Sequence, residues 1–304
     1  MNDPETAPTA VASDAVPAPH DDRPHTLAGD VRLHEGFHSR YLPDDRTVAV
    51  YLPPGYETSD VARYPVLYLQ DGQNCFDRAT AFNEEWQVDE TAERMIPAGE
   101  IEPLIVVGVW NTGDRRIDEY TPAVDAKHAR GGEADAYGRL LVEDLKPFID
   151  RTYRTLPSAA NTGIGGSSLG GLVALHVGLR YPTAFGKIAA LSPSIWWADR
   201  AIVGEVQALR ARPATRIWLD AGTLEGAEVV PDARRLREAL VAQGWREGDD
   251  LRYVEVEGAR HEEPAWAARL PDVLRFLYPP RQKPIERASR AFRRWRDRLM
   301  RDVR

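Results

Sequence analysis

The sequence predicts one doubly wound α/β domain with a mostly parallel sheet and an antiparallel edge contributed by an N-terminal hairpin. Three observations carry that reading. From Tyr64 onward, short unbroken apolar runs alternate with longer runs of helical period, as expected of strands covered on both faces by crossover helices. Ahead of them, two strand-like runs are separated only by the turn-forming Pro43-Asp44-Asp45. Between a strand-like approach and a helix-like run lies Gly165-Gly166-Ser167-Ser168-Leu169-Gly170-Gly171, a sharp strand-to-helix turn.

Composition supports a packed protein and removes several classes of function. The 304 residues are 43% hydrophobic and include eight Trp, seven Phe and eleven Tyr, enough for a large core. A single cysteine, Cys75, excludes an intramolecular disulfide and any CxxC metal or redox site, and reads as a small packed hydrophobe. There is no basic-plus-apolar N-terminal signal, and no apolar run approaches the roughly eighteen residues of a membrane span. A cytoplasmic protein without metal or cofactor is the expectation. The net charge of −8 argues against a nucleic-acid partner.

Taken in order, residues 1–27 are rich in Ala, Pro, Asp and Thr without apolar periodicity and read as a disordered leader. Residues 28–280 form the expected catalytic domain, opening with the hairpin of Val31 to Ser39 and Arg46 to Leu52. Strands are predicted at Pro65 to Gln70, Leu104 to Trp110, Thr162 to Gly165, Lys187 to Leu191, Arg216 to Asp220 and Leu251 to Val256. Helices are predicted at Trp86 to Ile96, Ala136 to Thr152, Leu169 to Arg180, Arg200 to Ala211, Ala233 to Gln243 and Glu263 to Leu277. Residues 281–304 carry ten Lys/Arg against three acids, so this tail is +7 and the remainder −15. Ile285, Ala288, Phe292, Trp295, Leu299 and Val303 recur at spacings of three and four, predicting a basic amphipathic helix for docking, homo-oligomer contact or peripheral membrane contact.

Gly166-Ser167-Ser168-Leu169-Gly170 fits a G-x-S-x-G nucleophile elbow with Ser168 at its apex. Holding a serine hydroxyl above the end of a sheet requires strained backbone and leaves no room for flanking side chains. The helix that follows points free N–H groups at the same place, making the Leu169 N–H one candidate oxyanion donor. A general base should then follow in a loop after a later strand. His20 and His25 fall in the leader, His34 and His38 in the hairpin and His128 in a polar loop. His176 lies about 12 Å further along the elbow's own helix. His261, directly after the last strand, remains.

Two carboxylates compete to support it. Asp220 stands at the end of its strand, where it could instead brace the turn; Glu225 lies further out in the loop, has the reach to meet the imidazole and is preferred. The second oxyanion donor is expected from the loop after the Pro65 to Gln70 strand, at the backbone N–H of Gln73. Trp196, Trp197 and Arg116 are candidate substrate contacts: the tryptophans for an aryl, catecholate or sugar-bearing acyl group, the arginine for an anion. Core packing and a solvated loop are the competing readings of these positions.

These residues together resemble a family of α/β hydrolases that includes enterochelin esterases, feruloyl esterases, S-formylglutathione hydrolase and mycolyltransferases. The likeness spans about Arg46 to Tyr278. Its markers are Tyr64 to Gln73, Glu119-Tyr120-Thr121-Pro122, Asp144 to Asp150, the elbow, Leu191 to Trp197 and Gly258 to Trp266. Asp71-Gly72-Gln73 departs from the His-Gly of many members and is similar to the enterochelin-esterase branch. The resemblance implies an α/β-hydrolase fold and a serine carboxylic-ester hydrolase acting on a small-molecule ester. Its acid falls on the loop after Gly222-Thr223, in favour of Glu225. Acyl transfer to an alcohol or sugar is the alternative within the fold. A non-catalytic protein that binds a partner or membrane through its tail is the reading from another class.

Overall fold

Side chains along the central strands alternate between two apolar layers, and that alternation sets the architecture. The computed structural model describes residues 23–280. In chain order its strands are β1 (Asp30–Phe37), β2 (Arg46–Leu52), β3 (Val66–Gln70), β4 (Ile105–Val109), β5 (Val124–Asp125), β6 (Arg130–Gly131), β7 (Thr162–Ser167), β8 (Lys187–Leu191), β9 (Arg216–Gly222) and β10 (Leu251–Val256). The helices are α1 (Val88–Met95), α2 (Arg116–Glu119), α3 (Ala134–Arg139), α4 (Lys146–Thr152), α5 (Leu169–Arg180), α6 (Trp197–Gln207), α7 (Val229–Ala242) and α8 (Glu263–Leu277).

Eight strands form one sheet in the order β1-β2-β4-β3-β7-β8-β9-β10, while β5 and β6 make a separate ribbon. Only β1–β2 and β2–β4 pair antiparallel within the large sheet; every other neighbour is parallel. This is the expected α/β-hydrolase architecture with its antiparallel edge. Tyr68, Val107, Ile164, Ile188 and Leu219 face one layer, against Leu172 and Val173 of α5 and Leu236 and Leu240 of α7. Their neighbours Leu67, Leu69, Val106, Leu191 and Trp218 face the other, against Met95 of α1 and Trp266, Leu270 and Leu274 of α8. The chain leaves β3 for β4 on one side and returns for β7 on the other, so a topological switch point opens between β3 and β7 at their carboxyl ends. The candidate elbow follows β7.

Several elements differ from expectation for local reasons. The run predicted as one helix from Ala136 to Thr152 is α3, a π-helical turn over Leu140–Leu145, then α4. Pro147 sits in the first turn of α4 and has no N–H to continue the ladder, which localises the break. Helix α6 begins at Trp197, three residues early, and Ala198, Asp199 and Arg200 there have positive φ. Residues 23–27, expected within the leader, lie on the 77–85 loop. The Arg23 guanidinium donates to the carbonyls of Ala81 and Asn83, and His25 Nδ1 is 2.6 Å from Asp77 Oδ2. The rest of the leader and the basic tail fall outside the described residues. Among the described residues, no helix is long and apolar enough to cross a membrane.

Candidate active site

Ser168 joins β7 directly to α5 with φ 55° and ψ −124°, a conformation side chains rarely adopt. Its N–H is anchored to the Leu191 carbonyl at 3.0 Å. The turn closes because Gly166 has no side chain: a Cβ there would stand 2.7 Å from the Gly170 carbonyl carbon. The same tightness brings β3 alongside, since a Cβ on Gly170 would meet Gln70 Cβ at 3.0 Å and Asp71 Oδ2 at 3.1 Å.

The three residues singled out for chemistry meet at the carboxyl end of the sheet. His261 Nε2 lies 2.9 Å from Ser168 Oγ, and its Nδ1 lies 3.1 Å from Glu225 Oε2. The imidazole stands edge-on to Trp266, ring centroids 4.9 Å apart, which fixes its plane. The Glu225 side chain is fully buried and that of His261 is 39% exposed. Of the two competing carboxylates, Glu225 is the one within hydrogen-bond distance of the imidazole. Asp220 is turned inward, accepting from the Ser192 N–H at 3.0 Å, Trp218 Nε1 at 2.7 Å and the Arg269 guanidinium at 2.5 Å. Burial pushes the Asp220 carboxyl up, an effect that Arg269, Trp218 and Ser192 offset only in part. Burial also pushes Glu225 up, but hydrogen bonds from His261 and Ser192, with the charges of His261 and Arg269, hold it below the usual carboxylate range.

The loop after β3 is built around Asp71, at φ 56°. Arg116 forks onto its carboxylate at 2.8 and 2.9 Å, Asn111 Nδ2 donates to it at 2.7 Å, and its own N–H donates to the buried Tyr120 hydroxyl at 3.2 Å. Gln73 is buried in the short 3₁₀ turn that follows, with Oε1 accepting from the Asn111 N–H. Among the described residues, neither the Gln73 nor the Leu169 N–H has a hydrogen-bond acceptor. Arg116, expected to meet substrate, thus faces a protein carboxylate in the arrangement seen here. Its neighbour Arg115 pairs with Glu133 and Asp44.

The two tryptophans part company. Trp197 is 3% exposed, donates from Nε1 to the Ala123 carbonyl at 2.8 Å and stacks on His128, so it is a packing residue. Trp196 is 43% exposed, two positions past Ser194, whose Oγ lies 3.2 Å from Ser168 Oγ. Among the described residues, no group of three or more His, Cys, Asp or Glu could hold a metal ion. Cys75 is buried, its thiol pushed well up by burial.

The chain matches the family model described as Putative esterase over residues 39–277. It belongs to that family. This esterase is a carboxylic ester hydrolase, in keeping with the relatives that share its sequence. It is 27% identical over 256 residues to the uncharacterized protein YbbA of Bacillus subtilis, covering 80% of this chain and 97% of that one. It is 29% identical over 241 residues to the ferri-bacillibactin esterase BesA of Bacillus subtilis, covering 72% of this chain and 80% of that one. Its fold is similar to that of the enterobactin esterase FES from Shigella flexneri, solved in the presence of 2,3-di-hydroxy-N-benzoyl-serine. There the TM-score is 0.68 at 21% identity, over 86% of this chain and 62% of the other.

Sequence reasoning passed over four residues of the esterase site: Asp71, Ser192, Ser194 and Arg269. Arg269 left a signal, a lone arginine on the apolar stripe of α8 between Trp266 and Val273. Ser192 left none, since its positive φ of 42° is visible only in three dimensions. A cleft of about 840 Å³ elsewhere, lined by Lys187, Arg212, Arg216 and Asp250, lies where β8 and β9 begin, at the opposite end of the sheet from Ser168. We give it no part in the reaction at Ser168.

Proposed function

We propose that the protein hydrolyses its ester through Ser168, His261 and Glu225 by way of an acyl-enzyme. The observation that carries this is the continuous hydrogen-bonded line from Ser168 Oγ through both imidazole nitrogens to a buried carboxylate. Ser168 Oγ bonds to the ester carbonyl carbon as His261 Nε2 takes its proton. Glu225, opposite Nδ1, holds the ring and balances the imidazolium. The carbonyl electron pair moves onto oxygen, facing the unpartnered N–H groups of Leu169 and Gln73. Collapse breaks the bond to the alcohol, which leaves with the proton from His261. Water, deprotonated by the same nitrogen, then releases the acid and returns the proton to Ser168 Oγ. Each oxyanion donor of this kind supplies about 10²- to 10³-fold in rate.

For substrate we propose an ester whose acyl part carries an aromatic ring, as in catecholate siderophore lactones, where an amide holds the ring and the ester joins the backbone units. Trp196 offers an exposed ring two positions past Ser194, whose hydroxyl meets that of Ser168, and both the ferri-bacillibactin relative and the dihydroxybenzoyl compound in whose presence the Shigella neighbour was solved point the same way. A fluorophosphonate probe tests the mechanism: the protein is labelled and Ser168→Ala is not. Absent labelling, or equal labelling of both, overturns it. A panel of catecholate lactones, feruloyl esters and short acyl esters tests the substrate, with highest kcat/KM expected on the lactones and a preference for short acyl esters ruling them out.

A further inference from the structure

Glu225 has two oxygens and they are used differently. Among the described residues, Oε2 meets only His261, whereas Oε1 accepts from Ser192 Oγ at 2.6 Å, the Gly222 N–H at 2.9 Å and Arg269 Nη2 at 3.1 Å. Arg269 is 5% exposed and reaches up from α8 beneath the site. Its Nη1 donates to Asp220 Oδ1 and, at 3.1 Å, to Ser192 Oγ, while its Nε donates to the Ala265 carbonyl at 3.0 Å. One guanidinium thus spans two buried carboxylates, and the serine between them is bonded to both. Trp266 Nε1 closes the cluster with a bond to Ser192 Oγ at 3.2 Å.

We propose that Arg269 is a positioning residue that keeps Glu225 ionised, with Oε2 turned to His261, by neutralising the second buried carboxylate, Asp220. This rests on the triad reading above and extends it. The charged groups facing Glu225 are His261 from the loop before α8, Arg269 from α8 and Asp220 from β9; the segment after β8 contributes the neutral Ser192. Asp220, Glu225 and Arg269 sum to −1, and protonation of His261 brings the set to zero. Without Arg269 the buried pair would carry −2, and two like charges out of water retain a proton between them. A protonated Glu225 could not balance the imidazolium.

The test compares the parent protein with Ser168→Ala, Arg269→Met and Arg269→Lys, using kcat and KM on a simple aryl ester from pH 5 to 9 and thermal unfolding to establish folding. Arg269→Met is expected to lower kcat at pH 7 by about ten- to a hundredfold with KM within about twofold, because Arg269 lies beneath the site and does not reach substrate. The acid limb of its kcat/KM profile is expected to move up by about one pH unit or more, with Arg269→Lys, which keeps the charge but loses the fork, shifted in the same direction by roughly half as much. A folded Arg269→Met with the parent's pH profile, or with its whole loss in KM, overturns the proposal. If Arg269→Met does not fold, Arg269→Lys decides: one ammonium cannot span both carboxylates as the fork does, so an unshifted acid limb overturns the proposal there too. Full activity in Ser168→Ala removes the triad reading itself and this proposal with it. A dead Ser168→Ala beside an unshifted arginine variant removes this proposal alone.

Discussion

Glu225 and Asp220 show how little separates the carboxylate proposed for catalysis from one that braces the fold. Both carboxylates are fully buried and both touch Arg269, yet only Glu225 reaches the imidazole. Their variants should therefore fail in different ways. Glu225→Gln is expected to lower kcat by about 10³- to 10⁴-fold, since an amide cannot balance the imidazolium. Asp220→Asn leaves the Glu225–His261 bond in place but deprives a buried guanidinium of a charged partner. It is expected to cost about 3 kcal/mol of stability, with a much smaller loss of rate. Denaturant unfolding and steady-state kinetics on both variants check this, and the reverse pattern would make Asp220 the working acid. In the sequence the two stand five positions apart, with Glu225 preferred for its reach and Asp220 left as the alternative. What divides them is the direction each side chain takes as β9 ends, which no pattern of residue types records.

At the level of elements, the short helix α2 does more for the site than its four residues suggest. Arg116 at its start and Tyr120 just past its end both hold Asp71, so the helix sets the loop that carries Gln73. Replacing Arg116 by Leu is expected to lower kcat about ten- to a hundredfold with KM little changed, because the proposed oxyanion donor, the Gln73 N–H, loses its support rather than the substrate its contact. A rise in KM at constant kcat would instead make Arg116 a substrate residue. Elements were legible where one physical cause dominated. The parallel strands announce themselves as unbroken apolar runs because both faces are covered, and the elbow does so because close packing leaves room only for glycine. The β5–β6 ribbon, two residues on each strand, is too short to leave a period. For that reason Trp196 and Trp197 read alike in sequence: it is Ala123, just before β5, whose carbonyl takes the Trp197 N–H and ties that ring down. Arg269 was legible in principle, since a charge on an apolar helical stripe signals a buried partner.

For the whole molecule, the strand order determines when the site exists. Ser168 and His261 are separated by 93 positions, and His261 by 36 from Glu225, so every bond of the triad is long-range. His261 follows β10, which pairs with β9 at the far edge of the sheet. Non-local parallel pairing is slow to form, whereas the contacts within α5 and α7 are local and quick. On dilution from denaturant, helical signal in far-ultraviolet circular dichroism is therefore expected to return before esterase turnover, with a lag that closes as β10 docks. Coincident recovery of the two would contradict this. The strained turn at Ser168 points the same way: its positive φ is held by Leu191 and by the packing of β3 against the elbow, so it cannot be occupied stably until those strands are side by side. Turnover then serves as a clock for the closing stage of assembly, and partly folded chains, with the serine slack and the imidazole distant, are chemically silent.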